Sequence, residues 1–197
     1  MPWMWIVAGP NGSGKTSIVK KGIIQSQLST RLMQINPDDI AIQIGNSQPS
    51  LNSNDVSLLA ARQSDALVDK CIEERKSFLV ETVLSSDKFK QRVDTARKNQ
   101  FSIGLTFVVL VNADLSIERI KQRVALKGHD VPPELVRARW SRSVANLRWF
   151  ALRADVVHVF DNSNMYGPVL IVEKSENNWT WHDRMRIPEV DASLSGL

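Results

Sequence analysis

The stretch "AGPNGSGKT", residues 8–16, lies near the start of the sequence and decides how the rest is interpreted. It fits the pattern G-x-x-x-x-G-K-[ST], in which glycines allow positive φ angles and backbone N–H groups converge on a phosphate. The residues before it, 3–8, are apolar as in a buried strand, and residues 15–26 after it have a helical pattern. Because a strand, a glycine loop and a helix follow one another, the stretch predicts a loop that binds nucleotide phosphates.

Two side chains of this loop have predicted roles of their own. We expect Lys15 to reach the β- and γ-phosphates, and Thr16 to bind Mg²⁺ through its hydroxyl. ATP and Mg²⁺ are therefore the predicted cofactors. The residues expected to contact ATP form the loop and the start of the next helix: Gly9, Pro10, Asn11, Gly12, Ser13, Gly14, Lys15, Thr16 and Ser17.

The composition is that of one globular domain over residues 1–197, with 43% hydrophobic and 23% charged residues. A net charge of +4 suits an anionic ligand but is too small to indicate nucleic acid. The single cysteine, Cys71, excludes an intramolecular disulfide and a cysteine-rich zinc site, which favours a reducing, cytoplasmic location. No stretch approaches the roughly 20 apolar residues of a membrane span, so we expect no membrane association.

Apolar runs alternate with helical patterns along the chain. This alternation predicts an α/β fold of the P-loop NTPase and nucleotide-kinase type, a three-layer sandwich with a mainly parallel sheet and a short helical lid. We expect a C-terminal hairpin at 167–183 and a loose tail after about residue 188. The predicted main strands lie at 3–8, 31–36, 77–82, 103–111 and 154–163.

Two acidic residues follow strands of the predicted sheet, Asp38 after the second and Glu81 at the end of the third. The carboxyl ends of parallel strands open on one edge, so both should share a cleft with the phosphate loop. A carboxylate facing the γ-phosphate can orient and deprotonate an acceptor hydroxyl, which makes Asp38 the candidate base of a kinase. Asp38 could instead cap the next helix, as could Asp39. Glu81 could reach Mg²⁺ through water, or hold a basic side chain for structural reasons.

Arginines near a predicted lid supply the cations that a transferring phosphoryl group needs. Arg119 and Arg123 are four residues apart and share a helix face, beside the lid-like stretch "KGHDVPP" at 127–133. We expect Arg123 to act on the phosphoryl group and Arg119 to lie nearer the nucleotide. Arg139 and Arg142 share a face of the following helix, and either contribute to the site or form a solvated basic face.

The remaining candidates flank the two ends of the cleft. By analogy with the fold alone, Asp161 or Asn162 should lie near the nucleoside, at the exit of the last main strand. The role of His129 stays open: it could form a hinge contact, contact the substrate or have no role. The residues expected near the acceptor are Asp38, Glu81, Thr82 and His129.

Taken together, several stretches resemble the zeta toxin family of kinases, particularly its short bacterial members. The resemblance spans most of residues 4–163 and implies a P-loop kinase fold. The characterised zeta toxins phosphorylate a sugar hydroxyl of UDP-N-acetylglucosamine with ATP and Mg²⁺. The stretches that carry the resemblance are "AGPNGSGKT", "INPDDIA", "AARQSDALVDKCIEERKSFLVETVLSS", "IERIKQRVALKGHDVPPELVRARWSRSVANL" and "ADVVHVFDNS".

The resemblance also implies roles for individual residues. Asp38 matches the family's general base, and Glu81 matches its acidic residue near the substrate. Arg119 or Arg123 matches the first lid arginine. The second lid arginine has no clear counterpart in this sequence, and His129 falls near its place. Lys15 matches the phosphate-loop lysine.

The sequence therefore predicts a kinase that phosphorylates a hydroxyl of a small nucleotide-like acceptor, either a sugar nucleotide of the UDP-N-acetylglucosamine type or a dinucleotide. The resemblance further implies a toxin with an antitoxin protein as its partner. One alternative is an ATP-binding switch whose output is partner binding. The other is a polynucleotide kinase, which would need a basic groove with aromatic positions. Trp140 has a core pattern and Trp179 and Trp181 lie in the hairpin, which argues against nucleic acid.

Overall fold

The computed structural model describes residues 1–24, 32–125 and 130–197 of the chain, and strands and helices alternate within them. The strands are β1 (Trp3–Ala8), β2 (Met33–Ile35), β3 (Phe78–Thr82), β4 (Ser102–Val109), β5 (Val156–Asp161), β6 (Val169–Ser175) and β7 (Asn178–Trp181). The helices are α1 (Lys15–Lys20), α2 (Pro37–Ser47), α3 (Ser53–Glu73), α4 (Lys88–Lys98), α5 (Ala113–Ala125), α6 (Pro133–Arg153) and α7 (Pro188–Ser193).

The strands form one sheet in the order β2-β3-β1-β4-β5-β6-β7. From β2 to β5 all neighbours pair in parallel, whereas β6 and β7 add antiparallel pairs at one edge. The chain leaves β1 for the β2 and β3 side and later crosses to β4 on the other side. A ligand crevice is expected at such a reversal, outside the carboxyl ends of the strands.

Both faces of the sheet are covered, which gives the three layers that the sequence predicts. Along β1, Ile6 belongs to one buried cluster and Val7 to the other, as alternation along a strand requires. The first cluster includes Val68 of α3 and Val144 of α6, and the second includes Ile18 of α1. The predicted α/β fold with a mainly parallel sheet and a C-terminal hairpin is confirmed.

Helix α1 is shorter than the pattern over residues 15–26 predicts. It ends at Lys20, and Gly22 in the turn that follows has a φ of 69°. A glycine with a positive φ commonly ends a helix, because other residues are strained there. The end of the predicted helix lies outside the described residues, as does His129 of the predicted lid.

The C-terminal tail is ordered, so the prediction of a loose tail after residue 188 is wrong. Residues from Pro188 form α7, and the side chains of Val190 and Leu194 are 0% exposed. Arg148 of α6 donates to the Ser195 carbonyl at 2.6 Å. The burial of two apolar side chains offsets the entropy lost when a short segment becomes ordered. Amino-acid composition alone does not reveal that these side chains are buried.

Replacing Leu194 with alanine tests the docking of the tail. Removing a fully buried leucine side chain should lower the free energy of unfolding by about 2–5 kcal/mol. Leu152→Ala is the matched control, because Leu152 is 46% exposed on α6 and its loss should cost less than about 0.5 kcal/mol. Urea denaturation of both variants provides the measurement. Equal stability of the two would mean that the tail contributes nothing, as the sequence suggested.

Of the helices in the described ranges, none combines the length and the apolar character that crossing a bilayer requires.

Candidate active site

The loop after β1 has the backbone that a phosphate cradle needs. Gly9, Gly12 and Gly14 have φ angles of 139°, 74° and 93°. A Cβ on Gly9 would lie 1.9 Å from the Val108 carbonyl oxygen, and one on Gly14 would lie 2.3 Å from Nδ2 of Asn162. Only glycine fits at these two positions, since the loop packs directly against β4 and the residue that follows β5.

Lys15 lies over this loop and is held by it. Its Nζ donates to the carbonyl oxygens of Gly9 at 2.8 Å and Pro10 at 2.9 Å. Burial lowers the pKa of Lys15 to about 8, against the opposing effects of the carboxylates of Glu81 and then Asp38. The phosphate-loop lysine and the two predicted acids therefore face the same space.

Thr16 begins a hydrogen-bonded chain that crosses the edge of the sheet. Its hydroxyl donates to Oε2 of Glu81 at 2.7 Å, and Nδ2 of Asn36 donates to Oε1 of Glu81 at 2.9 Å. Glu81 is 6% exposed. Burial raises the pKa of Glu81, whereas the Thr16 hydroxyl and the Lys15 charge lower it. Both oxygens of this carboxylate are thus committed to neighbours that flank the phosphate loop.

Asn36 is a site residue that the sequence analysis missed. Its side-chain Oδ1 accepts a hydrogen bond from the backbone N–H of Asp38 at 2.9 Å, so Asn36 caps α2, which begins at Pro37. The expectation that Asp38 or Asp39 fills the cap is wrong. The signal was present in the letters "INPDD", because an asparagine before a proline is a strong helix-start pattern.

With Asn36 as the cap, the two aspartates of the first turn are available to the cleft. Asp38 and Asp39 both line it and both are exposed. Their electrostatic partners differ, however. The charge of Asp38 acts on Lys15 as well as on Glu81, whereas Asp39 acts on Glu81. Of the two aspartates, Asp38 is therefore the one whose charge acts on the lysine of the phosphate loop.

These side chains surround a cleft of about 760 Å³ at the carboxyl edge of the sheet. The phosphate loop, α3 and the segment from the end of β3 into the start of α4 all contribute to its lining. The predicted residues that line it are Asn11, Gly12, Gly14, Lys15, Thr16, Ser17, Asp38, Glu81, Thr82, Arg119 and Arg123. The lining residues contributed by α3 and by residues 83–89 are Ala61, Ser64, Asp65, Val83, Leu84, Ser85, Ser86, Lys88 and Phe89.

Three arginines from two helices reach the cleft. Arg119 and Arg123 of α5 line it as predicted, and the charge of Arg123 opposes protonation of Lys15. Arg139 of α6 also lines it, with Nη1 lying 3.5 Å from Oδ1 of Asn11 in the phosphate loop. Arg142 is exposed and is not among the described residues of the lining. The sequence left the roles of Arg139 and Arg142 undecided, and the structure places only Arg139 among the described residues that line the cleft.

Asp161 and Asn162 occupy different positions. Nδ2 of Asn162 donates to the Ser13 carbonyl at 2.8 Å, which places this residue against the phosphate loop. Asp161 is 3% exposed and accepts from Nε of Arg186 at 2.5 Å. Neither Asp161 nor Asn162 is one of the described residues that line the cleft. His129, the remaining candidate, lies outside the described residues.

Comparison with known sequences points to one family. The sequence model of the family described as "Zeta toxin" matches residues 1–171. An uncharacterized protein of Haemophilus influenzae is 30% identical over 132 residues, which cover 67% of this chain and 88% of that protein.

Solved structures share the fold at low identity. The AvrRxo1-ORF1:-ORF2 complex matches with a TM-score of 0.77 and 16% identity, over 100% of this chain and 66% of the matched chain. The same complex with ATP matches with a TM-score of 0.74 and 15% identity, over 92% and 61%. The PezAT chromosomal toxin–antitoxin system of Streptococcus pneumoniae matches with a TM-score of 0.66 and 15% identity, over 100% and 80%. This chain therefore spans about two thirds or less of the AvrRxo1 chains it matches.

Proposed function

This chain belongs to the zeta toxin family of ATP-dependent P-loop kinases, and on that premise we propose that it transfers the γ-phosphate of ATP to a hydroxyl of a small nucleotide-like acceptor. The observation that carries the proposal is that Lys15, Asp38 and Arg123 line one cleft at the carboxyl edge of the sheet. A phosphate-binding cation, a candidate base and a second cation are the groups that phosphoryl transfer requires.

ATP fits the loop of residues 9–17. Three glycines at positive φ leave the backbone amides uncovered by side chains, as an anion cradle requires. Asn162 against the loop and Arg119 in the lining complete the proposed nucleotide end. The AvrRxo1 complex crystallised with ATP supports this assignment by its fold.

Mg²⁺ would be held by Thr16 and, directly or through water, by Glu81. The described residues contain no group of three or more His, Cys, Asp or Glu side chains that could hold a metal ion by themselves. A hydroxyl and a carboxylate are the oxygen ligands that Mg²⁺ prefers, and nucleotide phosphates usually supply others. When bound, the ion would neutralise phosphate charge.

The acceptor would occupy the end of the cleft formed by α3 and residues 83–89. Asp38 lines the same cleft as Lys15, and its carboxylate would accept the hydrogen bond of the acceptor hydroxyl and aim it in line with the γ-phosphate. Thr82 and Glu81 line the floor. The hydroxyls of Ser64 and Ser85 and their neighbours suit a polar, sugar-containing acceptor.

The described lining favours a small acceptor over a polynucleotide. Phe89 is the one aromatic residue among the described residues that line the cleft, so a run of stacked bases has no platform there. We propose a sugar nucleotide of the UDP-N-acetylglucosamine type or a dinucleotide.

A screen with labelled ATP tests the proposed function. The purified chain is incubated with Mg²⁺, ATP labelled at the γ-phosphate, and a panel of nucleotide sugars and dinucleotides. We expect the label to move to one class of acceptor. ATP binding without transfer to any panel member would instead favour the ATP-binding switch, and absence of ATP binding would exclude both functions.

We further propose that the chain acts as a toxin with an antitoxin protein as partner. The PezAT system, by its name, pairs a toxin with an antitoxin, and AvrRxo1-ORF1 was crystallised with ORF2. Induced expression of the chain should arrest bacterial growth, and Lys15→Ala, expected to abolish transfer, should relieve the arrest. Arrest that persists in this variant would mean that toxicity does not depend on phosphoryl transfer.

Arg123→Ala should lower kcat by roughly 10²-fold or more, since the arginine stabilises charge on the transferring group. Arg142→Ala is the matched control, because Arg142 is exposed and outside the described lining. Steady-state kinetics and thermal melting of both variants provide the measurements. A change in Arg123→Ala confined to melting temperature would assign this side chain to structure.

A further inference from the structure

We propose that Arg186, beyond the region that matches the family, is a positioning residue for the nucleotide end of the cleft. It acts through Asp161 on the turn that contacts Ser13 and Arg119. The match to the zeta toxin model ends at residue 171, whereas Arg186 lies between the β6–β7 hairpin and α7. The inference rests on the proposed ATP site, because Arg119 and the phosphate loop are the groups it positions.

The first link is an ion pair between the C-terminal segment and the end of β5. Nε of Arg186 donates to Oδ2 of Asp161 at 2.5 Å, and Nη1 donates to Oδ2 of Asp183 at 2.9 Å. Asp161 is 3% exposed, so its Oδ2 faces this guanidinium rather than solvent. Removing the cation leaves a buried carboxylate without its partner, and bringing water to it displaces the segment that carries it.

The second link runs from Asp161 into the turn that follows β5. Its other oxygen, Oδ1, accepts from the backbone N–H of Ser163 at 2.8 Å and also from the Ser163 hydroxyl. The Ser163 Oγ in turn accepts from the N–H of Val111 at 2.8 Å. One carboxylate thus orders the turn and ties it to the segment that leads into α5.

The third link joins this turn to the proposed nucleotide site. The Ser163 carbonyl accepts from Nη2 of Arg119 at 3.3 Å. Nδ2 of Asn162 donates to the Ser13 carbonyl at 2.8 Å, and the Asn162 N–H bonds the Val109 carbonyl at 3.0 Å. The two residues after Asp161 therefore contact a proposed nucleotide arginine and the phosphate loop.

Loss of Arg186 should weaken ATP binding more than it slows the chemical step. The chain of contacts ends on Arg119 and Ser13, while Asp38 and Arg123 lie outside it. The expected signature is a higher KM for ATP with a kcat that changes little. A residue that only supported the fold would lower the amount of active protein and leave the KM of the remainder unchanged.

The test compares Arg186→Gln with Arg184→Gln. Arg184 is exposed and stacks on Trp181 in the same segment, so the control removes a neighbouring arginine without touching Asp161. ATP binding is measured by titration calorimetry. We expect the ATP Kd of Arg186→Gln to rise roughly tenfold or more, the scale of a lost charged hydrogen bond, with partial recovery in Arg186→Lys. Arg184→Gln should bind as the unchanged chain does.

A double-mutant cycle then tests the route. If Arg186 acts through Arg119, Arg186→Gln should add little to the loss already present in Arg119→Gln. Fully additive effects would overturn the route, and unaltered ATP binding in Arg186→Gln would overturn the proposal.

Hydrogen exchange separates this inference from the proposed function. In the chain without nucleotide, Arg186→Gln should speed exchange at the amides of Val111 and Ser163, whereas the control should not. If the unchanged chain failed to bind ATP, the proposed function would be wrong. The exchange rates would still show whether Arg186 orders the turn that follows β5. Equal exchange rates in Arg186→Gln and Arg184→Gln would refute the proposal that Arg186 orders this turn. If Arg186→Gln does not fold, Arg186→Lys serves the same comparison, because lysine keeps the charge and loses the fork of donors.

Discussion

Asp38→Asn should lower phosphoryl transfer by roughly 10²- to 10⁴-fold, the usual range for a positioned base, while the chain still binds ATP. Asparagine keeps the shape of the side chain and removes its basicity. The acceptor hydroxyl would then lose the group that accepts its hydrogen bond and its proton. Single-turnover transfer of labelled phosphate, with ATP affinity measured in parallel, provides the test.

The position of Asp38 supports this expectation. The residue follows β2 and sits in the first turn of α2, where Asn36 holds its backbone N–H. Its carboxylate is exposed in the cleft and acts electrostatically on Lys15. A loose transition state for phosphoryl transfer asks mainly for an aligned acceptor, and a base on a capped helix turn is well suited to align it.

Asp39→Asn is the matched control for this substitution. Asp39 is the next residue, has the same side chain and lines the same cleft, but its charge acts on Glu81, whereas the charge of Asp38 acts on Lys15 as well. We expect a mild effect. If Asp38→Asn were fully active and Asp39→Asn inactive, the base would be Asp39. If both were active, the kinase mechanism would be in doubt and the ATP-binding switch would be favoured.

Lys15→Ala should abolish transfer, with a loss of roughly 10³-fold or more, because its ammonium is the cation of the phosphate loop. The fold should survive. Burial lowers the pKa of Lys15 from its usual 10.5 to about 8. The folded state therefore disfavours the charged lysine, and at neutral pH, where the lysine is charged, this lowers the free energy of unfolding. Removing the charge relieves that cost, while Ile18 and Val19 keep α1 anchored in the core.

Lys20→Ala provides the control for Lys15→Ala. Lys20 is an exposed lysine at the end of the same helix, so it tests the loss of a lysine without the loss of the phosphate contact. Transfer of labelled phosphate and thermal melting should show full activity for Lys20→Ala, and a normal melting temperature without activity for Lys15→Ala. Unaltered turnover in Lys15→Ala would refute the nucleotide assignment.

Local sequence was enough to predict the phosphate loop and the edge of the sheet where the site lies. The spacing of Gly9, Gly14 and Lys15 encodes a backbone conformation within nine residues, and little outside the stretch is needed to recognise it. The alternation of strands and helices then implies a parallel sheet, whose carboxyl ends share an edge. Asp38 and Glu81 could therefore be placed together although 43 positions separate them.

Contacts between distant segments could not be predicted in the same way. The Thr16–Glu81–Asn36 chain joins three elements, and only the register of β1, β2 and β3 brings their side chains within hydrogen-bond distance. The choice between Arg139 and Arg142 depends on how α6 lies against the phosphate loop, since both were plausible on the helix face.

The letters of the chain alone predicted a nucleotide loop, a parallel sheet and an acid at its carboxyl edge, because each prediction follows from short-range backbone preferences and strand order. The tertiary structure alone decided which polar groups are committed to one another. It pairs Asp161 with Arg186 and buries Leu194 of a tail whose sequence predicts disorder. The physical reason is that burial and ion pairing depend on what the rest of the chain places around a residue, and that environment is set by packing over long sequence distances.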